Sequence, residues 1–422
     1  MKVKNYIITL IAVTILTILG SVVWPSQNTI DEINILMPAP FVDSTKESIE
    51  HFNKANTGKI KINVTRGPRE TESVSDLAIS SLLLGNSPFD VVLVDVTWLP
   101  KYAAANWLLP LNQLIEEKDL DSLAKGAEIG NSYNGILYRW PLVADMGLLY
   151  YRKDLMPEGP PKTPTELVQK SQKLQSENKV RWGYVWQGKQ YEGLSCVFLE
   201  VINGFGGNWY SEEYGVKLSS SESIQAAQWL KDLINNGVSP RSVLNFTESE
   251  ALQAFKSGDA AMMRNWPYAW AELQKADSPV KDKVAFTTMV STEGNPPSST
   301  LGSWGFSIMQ STKNPKSAVR AIKFLTSESV QKDLFLNNGY TPTRKNLFND
   351  QSMVSNSPIL KDLDTALKVT KPRPESPLYA QMSDILQSQL SALLTNKLSV
   401  HDSMNAAQKR TSYLLRSAGY SK

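Results

Sequence analysis

Apolar and polar positions alternate over Ile30–Met37, which predicts a first strand. Over Ser44–Lys54 the apolar Ile49 and Phe52 fall at i, i+3 behind Ser44 as N-cap, which predicts a helix. Lys59–Thr65 alternates again around Ile60, Ile62 and Val64. A Gly67–Pro68 turn leads into a helix expected over Glu72–Leu84. Phe89–Val94 is wholly apolar, as suits a strand covered on both faces. Strand, helix, strand, helix, strand is the α/β signature of an open parallel sheet. Ligands bind beyond the carboxyl ends of such strands, and Asp95 stands at one such end.

From Thr163 the pattern turns helical. Thr163–Pro164–Thr165–Glu166 is a helix start with Pro at the first helical position. Further helices are expected over Ser221–Asn236, Thr247–Lys256, Ser317–Thr326, Ser329–Asn337, Ile359–Val369, Tyr379–Leu394 and Val400–Leu415. At 422 residues the chain is too long for one core and suits two domains.

The first residues form a separate object. Lys2 and Lys4 precede an apolar run over Tyr6–Trp24, a charged n-region followed by an h-region. The run is also just long enough to span a bilayer, with its start held inside by the lysines. Two readings stand for residues 1–26: a cleaved export signal or an uncleaved N-terminal anchor.

Composition removes several classes of function. The formal charge of +3 comes without a basic stripe, so nucleic acid is not an expected partner. His51, His401 and Cys196 cannot assemble a zinc site, and neither His lies in a nucleophile motif. Cys196 is expected as a small buried apolar residue.

What remains is a set of turns carrying rings or charges. They are Arg66–Glu72 (RGPRETE), Asp95–Trp98 (DVTW), Asp145 within NGILYRWPLVADMGLLYYRKDL, Met263–Tyr268 (MRNWPY), Leu301–Phe306 (LGSWGF) and Arg373. Asp145 reads either as a turn or capping residue or as a ligand for hydroxyls. Trp98 reads either as a cap on its helix or as an edge of a cleft. Trp107, Trp140, Trp229 and Trp270 are expected in the core, and Glu116–Asp121 as a solvated face. Carboxylates and guanidinium forks match sugar hydroxyls, and indole rings match the C–H face of a sugar. Such a set without a metal cluster suits binding rather than catalysis.

These segments, in this order, resemble the sugar-binding proteins of ABC importers, the maltose- and trehalose-binding type of family 1 extracellular solute-binding proteins. The runs SPFDVVLVDVTWLPKYAAANWLLPL (87–111), AFKSGDAAMMRNWPYAW (254–270), LGSWGFSI (301–308) and RPESPLYAQMSDILQSQL (373–390) carry the resemblance. It implies a two-lobed α/β fold of the type II periplasmic-binding-protein kind, each lobe a sheet flanked by helices. The lobes would comprise residues 28–142 plus about 306–350, and 143–305 plus about 351–422. It implies sugar contacts at Asp95, Asp145, Trp266, Tyr268, Gly302, Trp304 and Arg373, with Arg69 or Glu70 in the loop after the second strand. Ser303 stands where the motif usually has a second glycine, and the lipoprotein cysteine of many members is missing.

The resemblance further implies a periplasmic monomer without cofactor. It would bind a small α-glucoside (trehalose, maltose, sucrose or glucosylglycerol) in the cleft and pass it to a permease and its ATPase by hinge closure. A glycoside hydrolase using Asp95 and Asp145 is the first alternative. A binding protein for a polyamine, iron or a peptide is the second, and Arg373 speaks against a cationic solute.

Overall fold

The computed structural model describes residues 30–420 except 70, 84–86, 212, 214 and 358. The expected signal or anchor and Glu70 therefore lie outside the described residues. Among the described residues no helix is long and apolar enough to cross a membrane.

Two main sheets organise the chain. Strands β1 (Asp31–Pro38), β2 (Ile60–Gly67) and β3 (Val91–Asp95) are parallel, as the early pattern predicts. A short hairpin follows, β4 (Ser132–Tyr133) with β5 (Ile136–Leu137). Then come β6 (Trp140–Met146), β7 (Leu148–Arg152) and β8 (Trp182–Val185). A second hairpin holds β9 (Tyr210–Ser211) and β10 (Gly215–Val216). The last strands are β11 (Ala260–Asn265), β12 (Val284–Thr287), β13 (Ser299–Ile308) and β14 (Thr370–Lys371). The first sheet runs β14-β13-β3-β1-β2, with β6 also paired to β13; the second runs β12-β7-β11-β8.

Helices cover both sheets. The helix Ala39–Ala55 buries Phe41, Ile49 and Phe52 against β1 and β2 in the first core. It starts earlier than the expected Ser44. Pro40 lies in its first turn, where a missing N–H costs nothing, and Ser44 instead bonds the Phe41 carbonyl at 3.2 Å. In the second body the helix Pro164–Ser176 is capped as expected, with Thr163 accepting from the Glu166 N–H at 3.1 Å. The helices Glu192–Gly204, Ser221–Asn235, Tyr379–Leu394 and Val400–Ser417 share one large apolar core there. Trp140 and Cys196 are buried, whereas Trp107, Trp229 and Trp270 are half-buried.

The chain passes between the sheets at Gly147, between β6 and β7. Its N–H bonds the Thr300 carbonyl at 3.2 Å, so the outgoing crossing lies beside the start of β13. A Cβ at Gly147 would sit 1.8 Å from Glu200 Oε1, which leaves glycine as the residue that fits. The expected boundaries at 142/143 and 305/306 fall inside β6 and β13, and both strands stay hydrogen-bonded to the first sheet through these points.

Candidate functional site

β13 gathers the candidate residues. Its Trp304 pairs with Asp95 of β3, and its Gly302 pairs with Asp145 of β6. Directly paired residues share a sheet face, so both carboxylates flank the Gly302–Trp304 segment on one side. Strands about 4.8 Å apart with about 3.3 Å rise per residue put the two Asp Cα atoms roughly 12 Å apart.

Ser303 points the other way. It is fully buried, its hydroxyl accepts from Arg139 Nη2 at 2.7 Å, and it donates to the Val143 carbonyl at 3.0 Å. The strand's alternation turns this side chain away from Gly302 and Trp304, so its hydroxyl does not join them. Burial lowers Arg139 to about 9, opposed by Asp95.

Trp266 lies over Gly302. A Cβ on Gly302 would come within 2.7 Å of Trp266 Cζ3, so close approach of indole to strand requires glycine here. The ring is held from two sides. Its Nε1 donates to Glu248 Oε1 at 3.1 Å, and the Arg264 guanidinium sits 3.9 Å from its ring centroid. Arg264 is itself fully buried and bonded to both oxygens of Glu200, at 2.6 and 3.0 Å. Burial works against the Arg264 charge, and Glu200 more than offsets it, leaving the group raised. Tyr268 is half-buried and opens the next helix, Tyr268–Leu273.

A second aromatic group faces the same strand. Trp304 is tilted against Phe41 with centroids 5.5 Å apart, and Phe41 stacks on Tyr340 at 5.0 Å. Trp98 meets Trp304 edge-on at 5.3 Å, so it is both a helix cap and a neighbour of the site. Asp145 accepts from the Thr341 N–H at 3.0 Å. Burial raises its carboxyl to about 7, with the Thr341 bonds opposing. Arg69 is exposed; burial raises Tyr340, and the Arg69 charge weakly opposes that rise.

Arg373 joins the two bodies. Its Nη2 donates to Asp95 at 3.1 Å, and its Nη1 donates to Glu192 Oε1 at 2.8 Å. Asp95 also accepts from the Thr97 N–H and hydroxyl at 2.9 and 2.7 Å. Glu192 further accepts from Ser383 at 2.6 Å and from Tyr379. Burial raises Glu192, opposed first by Arg373. With two carboxylates on one guanidinium, the charge of Arg373 is already met, so it no longer argues against a cationic solute. The Glu192 N–H donates to Glu72 Oε1 at 3.1 Å, a second contact between the bodies.

Sequence reading missed Glu192, Glu248 and Arg264. Glu192 sits in the first turn of a helix, where acidic residues are ordinary, and only the fold brings Arg373 to it. Arg264 could have been marked as a charge inside an apolar strand, which demands a buried partner. Among the described residues no group of three or more His, Cys, Asp or Glu is placed to hold a metal ion.

Two sheets with flanking helices, crossed side by side and enclosing an aromatic and carboxylate-lined site, define a two-lobed α/β binding protein. A profile of the bacterial extracellular solute-binding proteins matches residues 38–332, and the chain belongs to that family. It is 31% identical to a probable ABC transporter-binding protein of Deinococcus radiodurans, covering 84% of this chain and 86% of that one. It is 26% identical to a mannitol-binding protein of Pseudomonas aeruginosa, covering 79% and 82%. The maltose-bound MalE3 of T. maritima superposes with a TM-score of 0.85 at 31% identity, covering 91% of this chain and 100% of that one. The family consists of substrate-binding components of ABC importers that act outside the cytoplasm and are not enzymes, which sets the hydrolase alternative aside.

Proposed function

We propose that this protein binds a small α-glucoside in the cleft between its lobes and delivers it to a membrane permease by hinge closure. The carrying observation is Trp266 laid over Gly302 beside Trp304, with Asp145 on the neighbouring strand. Indoles take the C–H face of a sugar ring and the carboxylate takes its hydroxyls. Asp95, Arg373 and Glu192 form the seam along which the lobes meet. In this reading Arg69 and Tyr268 stand at the rim, and the lobes hinge at Gly147 and the start of β13. The protein works as a monomer, with residues 1–26 as export signal or anchor. The maltose in the T. maritima relative favours the α-glucoside class; the mannitol of the P. aeruginosa relative marks linear polyols as the second class.

A thermal-shift screen with trehalose, maltose, sucrose, glucosylglycerol and mannitol tests the proposal. A ligand that binds only the folded state raises the melting temperature, by about 2.7 kcal/mol of stability at a hundredfold excess over Kd. A shift with a glucoside and none with mannitol is expected. A shift only with spermidine or a peptide would refute the reading.

A further inference from the structure

The Trp266 indole is held on its face by Arg264 and at its N–H by Glu248 Oε1, and the second hold depends on where the Glu248 carboxylate stands. Glu248 opens the helix Glu248–Lys256 and is half-buried. The fully buried Asn265 fixes its backbone relative to Trp266. Asn265 Nδ2 donates to the Glu248 carbonyl at 3.1 Å, and Asn265 Oδ1 accepts from the Trp266 N–H at 2.9 Å. That tie stops at the main chain. Beyond it a glutamate side chain keeps several rotamers, and pinning them costs entropy that a partner must offset.

The partner comes from another element. Tyr191 directly precedes the helix Glu192–Gly204, and its hydroxyl donates to Glu248 Oε2 at 2.8 Å. An ionised carboxylate only accepts, and here one oxygen takes the indole while the other takes the phenol. The fold makes room for this contact. A Cβ at Gly193 would sit 2.1 Å from Tyr191 Oη, so the ring folds back over the first turn of its own helix because residue 193 is glycine. Burial first, and the Glu248 charge after it, raises the Tyr191 hydroxyl well above the usual phenol range, so it remains a donor. Hydrogen bonds to a charged acceptor are among the stronger ones, which suits the task of keeping a carboxylate in one rotamer.

We infer that Tyr191 is a positioning residue for the ligand platform: through Glu248 it sets the plane of the Trp266 indole. Its effect on affinity rests on the sugar reading above; its hold on the indole does not. With the hydroxyl removed, Glu248 can leave the indole N–H, and the ring keeps only its contacts with Arg264 and Gly302. A platform that samples several planes must be ordered when a sugar arrives, and that cost is subtracted from binding.

Tyr191→Phe tests this by removing one oxygen and keeping the ring. The Trp266 indole N–H resonance, identified by its loss in Trp266→Phe, should move upfield in the nitrogen–proton NMR spectrum of the ligand-free variant. Glu248→Gln should move it too. In calorimetric titration Tyr191→Phe should weaken maltose or trehalose by about threefold or more, with the melting temperature of the free protein kept. In the Glu248→Gln background the same substitution should cost nothing further, because residues that act as one unit do not add. An indole resonance unmoved by Tyr191→Phe would overturn the inference, and so would parental affinity despite a moved resonance. A full additional loss in the Glu248→Gln background would make Tyr191 a direct ligand contact and overturn it as well. A moved resonance in a protein whose parent binds no saccharide would uphold the hold of Tyr191 on the ring and overturn the sugar reading alone.

Discussion

Removing Glu200 tests how the Trp266 platform is held. Glu200 and Arg264 have no exposed side-chain surface and share two charge-assisted bonds. Glu200 Oε1 also accepts from the Thr300 N–H at 3.2 Å, at the start of β13. Glu200→Leu leaves a buried guanidinium without its counter-charge, which costs about 3–5 kcal/mol. It also orphans the Thr300 N–H, worth about 1–3 kcal/mol. The double variant Glu200→Leu/Arg264→Met removes both charges and retains mainly the second cost. It also loses the guanidinium against Trp266, about 0.5–2 kcal/mol. Urea denaturation of parent, singles and double should give an unchanged slope and a coupling of at least about 1.5 kcal/mol between the sites. Trp266 emission should shift in every variant that lacks Arg264. Simple addition of the two single effects, or a Glu200→Leu cost below about 1 kcal/mol, would refute the picture of a compensated ion pair beneath the ring.

Four further outcomes are expected. Trp266→Ala should weaken glucoside binding at least tenfold, about 1.4 kcal/mol, in a protein whose circular dichroism is unchanged; parental affinity would count against the shelf. Gly302→Val should push the indole off the strand and lower affinity more than it lowers the melting temperature, since the new side chain meets Trp266 rather than backbone. Asp145 titrates at about 7 in the fold against 3.8 unperturbed, so the folded chain keeps a proton that the unfolded chain has lost between those values. Stability should fall as pH rises through that window, and Asp145→Asn should flatten the slope in melts across it. Sugar hydroxyls donating to Asp145 favour its ionised form, so calorimetric affinity should rise with pH up to about 7; a flat profile would remove Asp145 from the ligand's contacts.

Local patterning made much of the frame legible. The alternation of β1 and β2, the apolar run of β3 and the capped helix at Thr163 needed only period and turn chemistry. The Ser44 start failed because a Pro-Ala-Pro run reads as a breaker, although a proline in the first helical turn is harmless. The short charged run near Glu116 became one helical turn with no buried residue. Candidate site residues were visible where a ring or carboxylate met a turn, as at Asp95, Trp266 and Trp304. They were invisible where chemistry depends on distant partners. Glu192 meets Arg373 across 181 positions, and Ser303 meets Arg139 across 164. Nothing local to Ser303 shows that its hydroxyl is drawn to the back of the sheet.

The position of β13 also bears on the order in which the protein can be made. β3 ends at Asp95, yet its partner on that side begins about 200 residues later, at Ser299. The same strand is the partner that β6 waits for. Most of the second body must therefore leave the ribosome before the first sheet can complete its hydrogen bonding. Pairings of such sequence separation are slow to form, because the loop-closure entropy comes before the contacts that offset it. A nascent chain shorter than about 300 residues holds β1–β3 with an open edge at β3, a species prone to mispairing. The topology that frames the cleft thus delays completion of the first sheet until most of the chain has been made, a useful interval for a chain that must leave the cytoplasm first.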